Sequence, residues 1–316
     1  MNMLDTLKGS YFSEVLPKGW DIEKIYRCVT NDPASVEDRQ SFWNKDFAPV
    51  KCTNLEEFGV YMGHEIAMQI KLTKEEGRKL ILILPVGPMG MYKWAVYFLK
   101  AWNVDCKHVY GFNMDEWSDA EGNTLPASDP AAFQNAMLGA FYNPLGELTV
   151  PPEQRNFATK ENLPTYPEKI KALKAEGTKQ VLVYGIGRMC HIAFWEPHFA
   201  GDYKSDDEWK AAPYRVGARL HPFTIEQNAI TSFRSSWPLI PCYANTIGPW
   251  IIFNSDYAIG GADGVLSRGM QWQGMSFWMT LRYGPCRYVT SSNIPTMPGK
   301  LFYMEELAGP LCADTN

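Results

Sequence analysis

No stretch of this sequence stays apolar for longer than about one strand, far short of the roughly 20 residues that a membrane-spanning helix needs. No membrane association is therefore expected. The opening residues, MNMLDTLKGSYFSEV, have no basic start, no apolar core and no small-residue cleavage site, so they do not read as a secretory leader. Paired cysteines are missing too: the seven in the chain stand singly, without a CxxC pair or a Cys/His ladder. That argues against a metal site, and dispersed thiols suit a reducing, cytoplasmic compartment. Positive charge is not in excess, since 30 Lys and Arg face 35 Asp and Glu, a net of −5. Nucleic acid has no electrostatic reason to bind. GIG at 185–187 lacks the third glycine of a dinucleotide fingerprint, and a histidine-bearing segment replaces the helix start. Internal repeats and low-complexity tracts are absent as well.

What is present is the composition of a globular protein, 316 residues with 46% hydrophobic and 21% charged, enough for a sizeable core. Three segments share one grammar of apolar strand, polar or Gly/Pro turn, then helix. KLILILPVGPMG has a Leu80–Leu84 core apolar on both faces, and Met91, Ala95, Phe98, Leu99 and Trp102 then recur at helical spacing. KHVYGFNMDEW reads as a shorter strand, followed by a loop and a helix with Asp129 as N-cap and Pro130 at its first position. KQVLVYGIGRMCHIAF is the third, preceded by a helix capped at Thr165 and stopped at Gly177. Further on, WIIFNSDYAIGG and CRYVTSS read as strands, with a Met- and Trp-rich helix over 267–283 between them that suits core or a subunit interface. The alternation predicts an α/β fold, a three-layer sandwich around a mainly parallel sheet. Residues 1–50 lack periodicity and are expected to form an N-terminal extension packed on a single domain spanning 51–316.

PVGPMG, NMDE and GRMCH each follow the carboxyl end of a predicted strand, where open parallel sheets bind ligands. Asp115, Glu116, His191 and Glu196 could thus converge on one pocket; equally, His191 and Glu196 could be a satisfied structural pair. His64 and His108 read as packed or surface histidines, and His198 and His221 lie nearer the pocket with no role required of them.

These residues carry a resemblance. GFNMDEW resembles the FNMDEY signature of glucosamine-6-phosphate deaminases (also called isomerases), and HIAFWEP is similar to the HIAFNEP that follows their GVGNDG turn. LPVGPMGMYK resembles their LPTGGTPMTTYK loop, shortened by two residues. The resemblance spans about residues 53–310 and is strongest over 80–200. It implies the sugar-phosphate isomerase fold shared with 6-phosphogluconolactonases, and a sugar or sugar phosphate as the small-molecule partner. It implies further that Asp115 takes the C2 proton of an aminosugar, that His191 opens the ring, and that Glu196 holds the imidazole. This chemistry requires no redox cofactor and no metal. Glu116 would raise the proton affinity of Asp115 if the two carboxylates face each other. Gly87, Pro88, Met89 and Gly90 would form the substrate loop, with Arg188, Met189 and Asn228 beside it. The family and the aromatic content leave a homo-oligomer open.

Departures accompany the matches. The family's aspartate two residues before the histidine is Met189 here, which cannot charge-couple to an imidazole. The loop keeps Gly87 and Gly90 but has no hydroxyl, and Pro88 has no N–H to offer a phosphate. Asn228 stands at the place of the phosphate arginine, and the phosphate lysine has no clear equivalent; Arg188, Arg219 or Arg268 could supply charge instead. Four readings follow: a deaminase of an aminosugar phosphate, a same-fold enzyme for a different sugar or sugar acid, phosphorylated or not, a degenerate sugar-binding protein, and a lactone hydrolase.

Overall fold

The computed structural model describes residues 3–266 and 270–309. Among these, seven strands form one parallel sheet in the order β1 (Phe47–Cys52), β10 (Gly299–Met304), β9 (Tyr257–Ala262), β6 (Lys179–Gly185), β2 (Leu80–Leu84), β3 (Val109–Asn113) and β5 (Arg155–Asn156). Helices flank it, giving the expected α/β sandwich. Every residue of β2 is buried, which is why it reads as an unbroken apolar run. A smaller antiparallel sheet joins β4 (Asp115–Ser118), β8 (Tyr243–Ile247) and β7 (Tyr214–Arg219).

Two short helices, α1 (Tyr11–Val15) and α2 (Ile22–Val29), occupy the N-terminal segment. Next, α3 (Leu55–Glu75) and α4 (Gly90–Ala101) pack together beside the sheet, with Met91, Ala95 and Leu99 of α4 fully buried at i, i+4 and i+8. The remaining helices are α5 (Phe133–Met137), α6 (Tyr166–Ala175), α7 (Asp206–Lys210), α8 (Pro222–Ser232), α9 (Pro249–Phe253) and α10 (Gly274–Arg282).

Several local expectations change. The sheet reaches back into the segment expected to end at residue 50, because β1 pairs with β10 from Phe47 onward. Indole N–H groups tie the residues before it to the far end of the chain: Trp20 donates to the Tyr288 carbonyl at 2.8 Å and Trp43 to that of Leu281 at 3.1 Å. WIIFNSDYAIGG divides into α9 and β9, since Pro249 at the first helical position is already set for a helix. CRYVTSS contributes only the isolated bridge Cys286–Val289, and Thr290–Thr296 is a 3-10 helix; the strand here is β10, read past in the sequence. Thr165 does precede α6, but its hydroxyl donates to the Asn162 carbonyl rather than capping the helix. Asp129 forms a turn with the Ala131 N–H, and α5 begins only at Phe133.

Candidate active site

Four neighbouring strands, β9, β6, β2 and β3, end at one cavity of about 430 Å³, within the usual size of a small-molecule site. From β2 the chain moves to β3 on one side, and from β6 to β9 on the other. The cavity therefore sits at the topological switch point of the sheet. Pro85–Met89 line it after β2, Met114 and Asp115 after β3, Gly185–Gly187 and His191 after β6, and Asp263 after β9. One side is closed by Gln227, Asn228 and Thr231 of α8, another by Trp272 and Gln273.

Asp115 opens β4, and its backbone pairs with Thr246 of β8. Burial, and then the negative charge of Glu116, push its carboxyl well above the usual range. The strand turns these adjacent side chains apart. Glu116 Oε1 accepts the N–H groups of Trp117 and Phe133 at 3.0 and 2.8 Å, and Oε2 accepts that of Gln134 at 2.8 Å. It is a buried cap for α5, and the cavity wall does not include it.

His191 is reached through left-handed backbone at Cys190, φ 58, with Ala193 at φ 53 just beyond. Its Nδ1 lies 3.4 Å from Glu196 Oε2 and 3.3 Å from Thr224 Oγ1. A carboxylate can only accept, so a neutral imidazole facing Glu196 carries its proton on Nδ1 and keeps Nε2 basic. The ring lies against Gly187, where any Cβ would land on Nε2, so this position tolerates no side chain. Gly185 likewise permits close approach, since a Cβ there would come within 2.9 Å of the Gly87 carbonyl. Glu196 is fully buried behind the ring and also accepts the His221 N–H at 3.1 Å. Burial works to raise its carboxyl, but His191, Thr224 and the His221 N–H outweigh that and hold it below its ordinary value.

Of the residues singled out in the sequence, Gly87, Pro88, Met89, Asp115, His191 and Asn228 line the cavity. Glu196 reaches it only through His191, and Gly90, Glu116, Arg188 and Met189 are off the wall. Gly90 already belongs to the first turn of α4. Arg188 is held by its ion pair with Glu226 and by its own N–H, which donates to Gln227 Oε1 at 2.6 Å. Met189 is buried beside the left-handed turn at Cys190. Asn228 spends its amide on the Thr224 carbonyl at 2.9 Å. Arg219 is exposed at the end of β7, and Arg268 lies outside the described residues.

Sequence reasoning missed Asp263, although it follows an apolar strand just as Asp115 and His191 do. Burial pushes its carboxyl up to about 6. The described residues contain no cluster of three His, Cys, Asp or Glu placed to hold a metal, and no helix long and apolar enough to cross a membrane.

No family model matches the chain. Glucosamine-6-phosphate deaminases of Yersinia pestis (strain Pestoides F) and Yersinia pseudotuberculosis serotype O:3 are each 28% identical to it over 214 residues, covering 64% of this chain and 71% of theirs. Among solved structures, a monomeric glucosamine-6-phosphate deaminase superposes with a TM-score of 0.65 at 18% identity, covering 82% of this chain and 98% of that one. The 6-phosphogluconolactonase from Trypanosoma cruzi gives 0.59 at 15% identity, covering 87% and 100%. At such identities these two structures speak for the fold.

Proposed function

Since this chain is a divergent member of the glucosamine-6-phosphate deaminase family, we propose that it is an enzyme of the sugar isomerase/hydrolase type that isomerises and deaminates an aminosugar. The observation that carries this reading is the arrival of Asp115 and His191, from separate strands, on the wall of one cavity. In the proposed reaction His191 Nε2 takes the proton of the anomeric hydroxyl as the C1–O5 bond breaks, and returns it to the ring oxygen. Glu196 fixes the ring through Nδ1 and stabilises the imidazolium formed in passing. Asp115 then removes the C2 proton and delivers it to C1 while a proton passes from the amino nitrogen to O1, leaving an imine at C2. Water hydrolyses the imine to a ketose and ammonia. A carboxyl raised by burial suits this work, because it takes up the C2 proton more readily than an ordinary aspartate. With Met189 in place of a second carboxylate, Glu196 is, among the described residues, the acid at Nδ1.

Exchange of the C2 proton in deuterated water, followed by NMR alongside ammonia release, tests the reading. The wild type should exchange that proton in an aminosugar, and Asp115→Asn should slow exchange by about 100-fold or more. Exchange that survives the substitution, or its absence from the wild type with every aminosugar tried, removes Asp115 from this role.

A further inference from the structure

The cavity is acidic. Its ionisable lining among the described residues is Asp115, His191 and Asp263, with no lysine or arginine on the wall. Asp263 emerges one residue beyond β9, and among the described residues its carboxylate has no partner in another side chain, only its own backbone N–H. Two amide side chains on the wall already donate elsewhere. Asn228 donates to the Thr224 carbonyl and Gln273 to that of Ile186. The Pro85–Met89 loop offers no hydroxyl, and Pro88 offers no N–H. The nearby guanidinium of Arg188 is committed to Glu226. One feature favours an anion, the first turn of α4, whose N-cap Met89 supplies no side-chain acceptor. Asp263 already brings negative charge to that cavity.

We propose that Asp263 receives the ammonium group of an unphosphorylated aminosugar, in a cavity that holds carboxylates where a phosphate would require cations. This rests on reading Asp115 and His191 as the reacting pair, and it narrows their substrate. A phosphate dianion entering here meets the like charge of Asp263 in a confined, partly desolvated space, where repulsion is stronger than in water. An ammonium meets a carboxylate, in a charge-assisted hydrogen bond. N-acetylation removes that charge, so an N-acetylated sugar should be discriminated against as well.

Calorimetric titration of the full chain with glucosamine, N-acetylglucosamine and glucosamine 6-phosphate tests the assignment. Glucosamine should bind about ten-fold or more tightly than either of the others. Asp263→Asn should remove most of that preference, and Asp263→Lys should reverse it in favour of the 6-phosphate. The wild-type ratios decide the matter even if a variant folds poorly. Equal affinities, tighter binding of the 6-phosphate, or no binding of any of the three overturns the proposal. C2-proton exchange in the same samples separates the two readings. Asp263-dependent binding of glucosamine without exchange in any sugar sinks the isomerase and leaves the ammonium site. Exchange confined to the 6-phosphate, with tighter binding of it, does the reverse.

Discussion

Gly187 is the position where one methyl group tells most. A Cβ there would overlap His191 Nε2, so Gly187→Ala must swing the imidazole away from the cavity or push β6 and its loop apart. Misplacing a reacting group by about 1 Å costs on the order of 100-fold in rate, whereas a single overpacked methyl costs roughly 1–3 kcal/mol of stability. Ammonia release should therefore collapse in a protein that still unfolds cooperatively, as denaturant titration would show. Asp263 leaves its mark on the pH dependence of stability. Burial raises its carboxyl from 3.8 to about 6, so across that window the folded chain keeps a proton the unfolded chain has lost. Its contribution to stability therefore declines as pH rises through the window and is level above it. In Asp263→Asn, melting temperatures measured across the same range should lose this decline.

At the scale of elements, Glu116 links the sheet to the start of α5. Removing its carboxylate in Glu116→Ala strands the N–H groups of Trp117, Phe133 and Gln134, at roughly 3 kcal/mol in total. Chemical denaturation should show that loss, with a smaller one for Glu116→Gln, which keeps one of the two acceptor oxygens. The sequence motif marks both carboxylates as site residues, but only backbone pairing reveals that β4 sends them to opposite sides. That distinction was illegible because DEWS is charged and lies in a short antiparallel strand, without the apolar run that announces β2 or β6. Parallel strands buried on both faces are easy to read; β1, with a half-exposed edge pattern, and the bridge-only segment at CRYVTSS are not. Asp263 escaped notice for a related reason. The apolar stretch from Trp250 onward looked like one strand, which hid the short helix α9 and drew attention away from the residue after β9.

The N-terminal segment works as a brace on the whole molecule. Phe12 of α1 stacks on Phe223 with ring centroids 5.1 Å apart, and the Val15 carbonyl lies 2.8 Å from His221 Nε2 at the cap of α8. Deleting residues 1–16 should quicken amide hydrogen exchange in α8 and weaken ligand binding, while β2, β3 and β6 keep their protection. Exchange in α8 that is unchanged would show that the brace carries no weight there.

Thr246 has a different position in the architecture. It faces Asp115 across the ladder, and its hydroxyl accepts the N–H of Phe194 at 3.0 Å, three residues after His191. One side chain thus sets the spacing between proton carrier and base, while the walls at α8 and beyond β9 hang on other parts of the chain. Mutations that retune the sugar can accumulate on those walls without disturbing the bond-making step. A lineage built this way can change its diet long before it changes its chemistry.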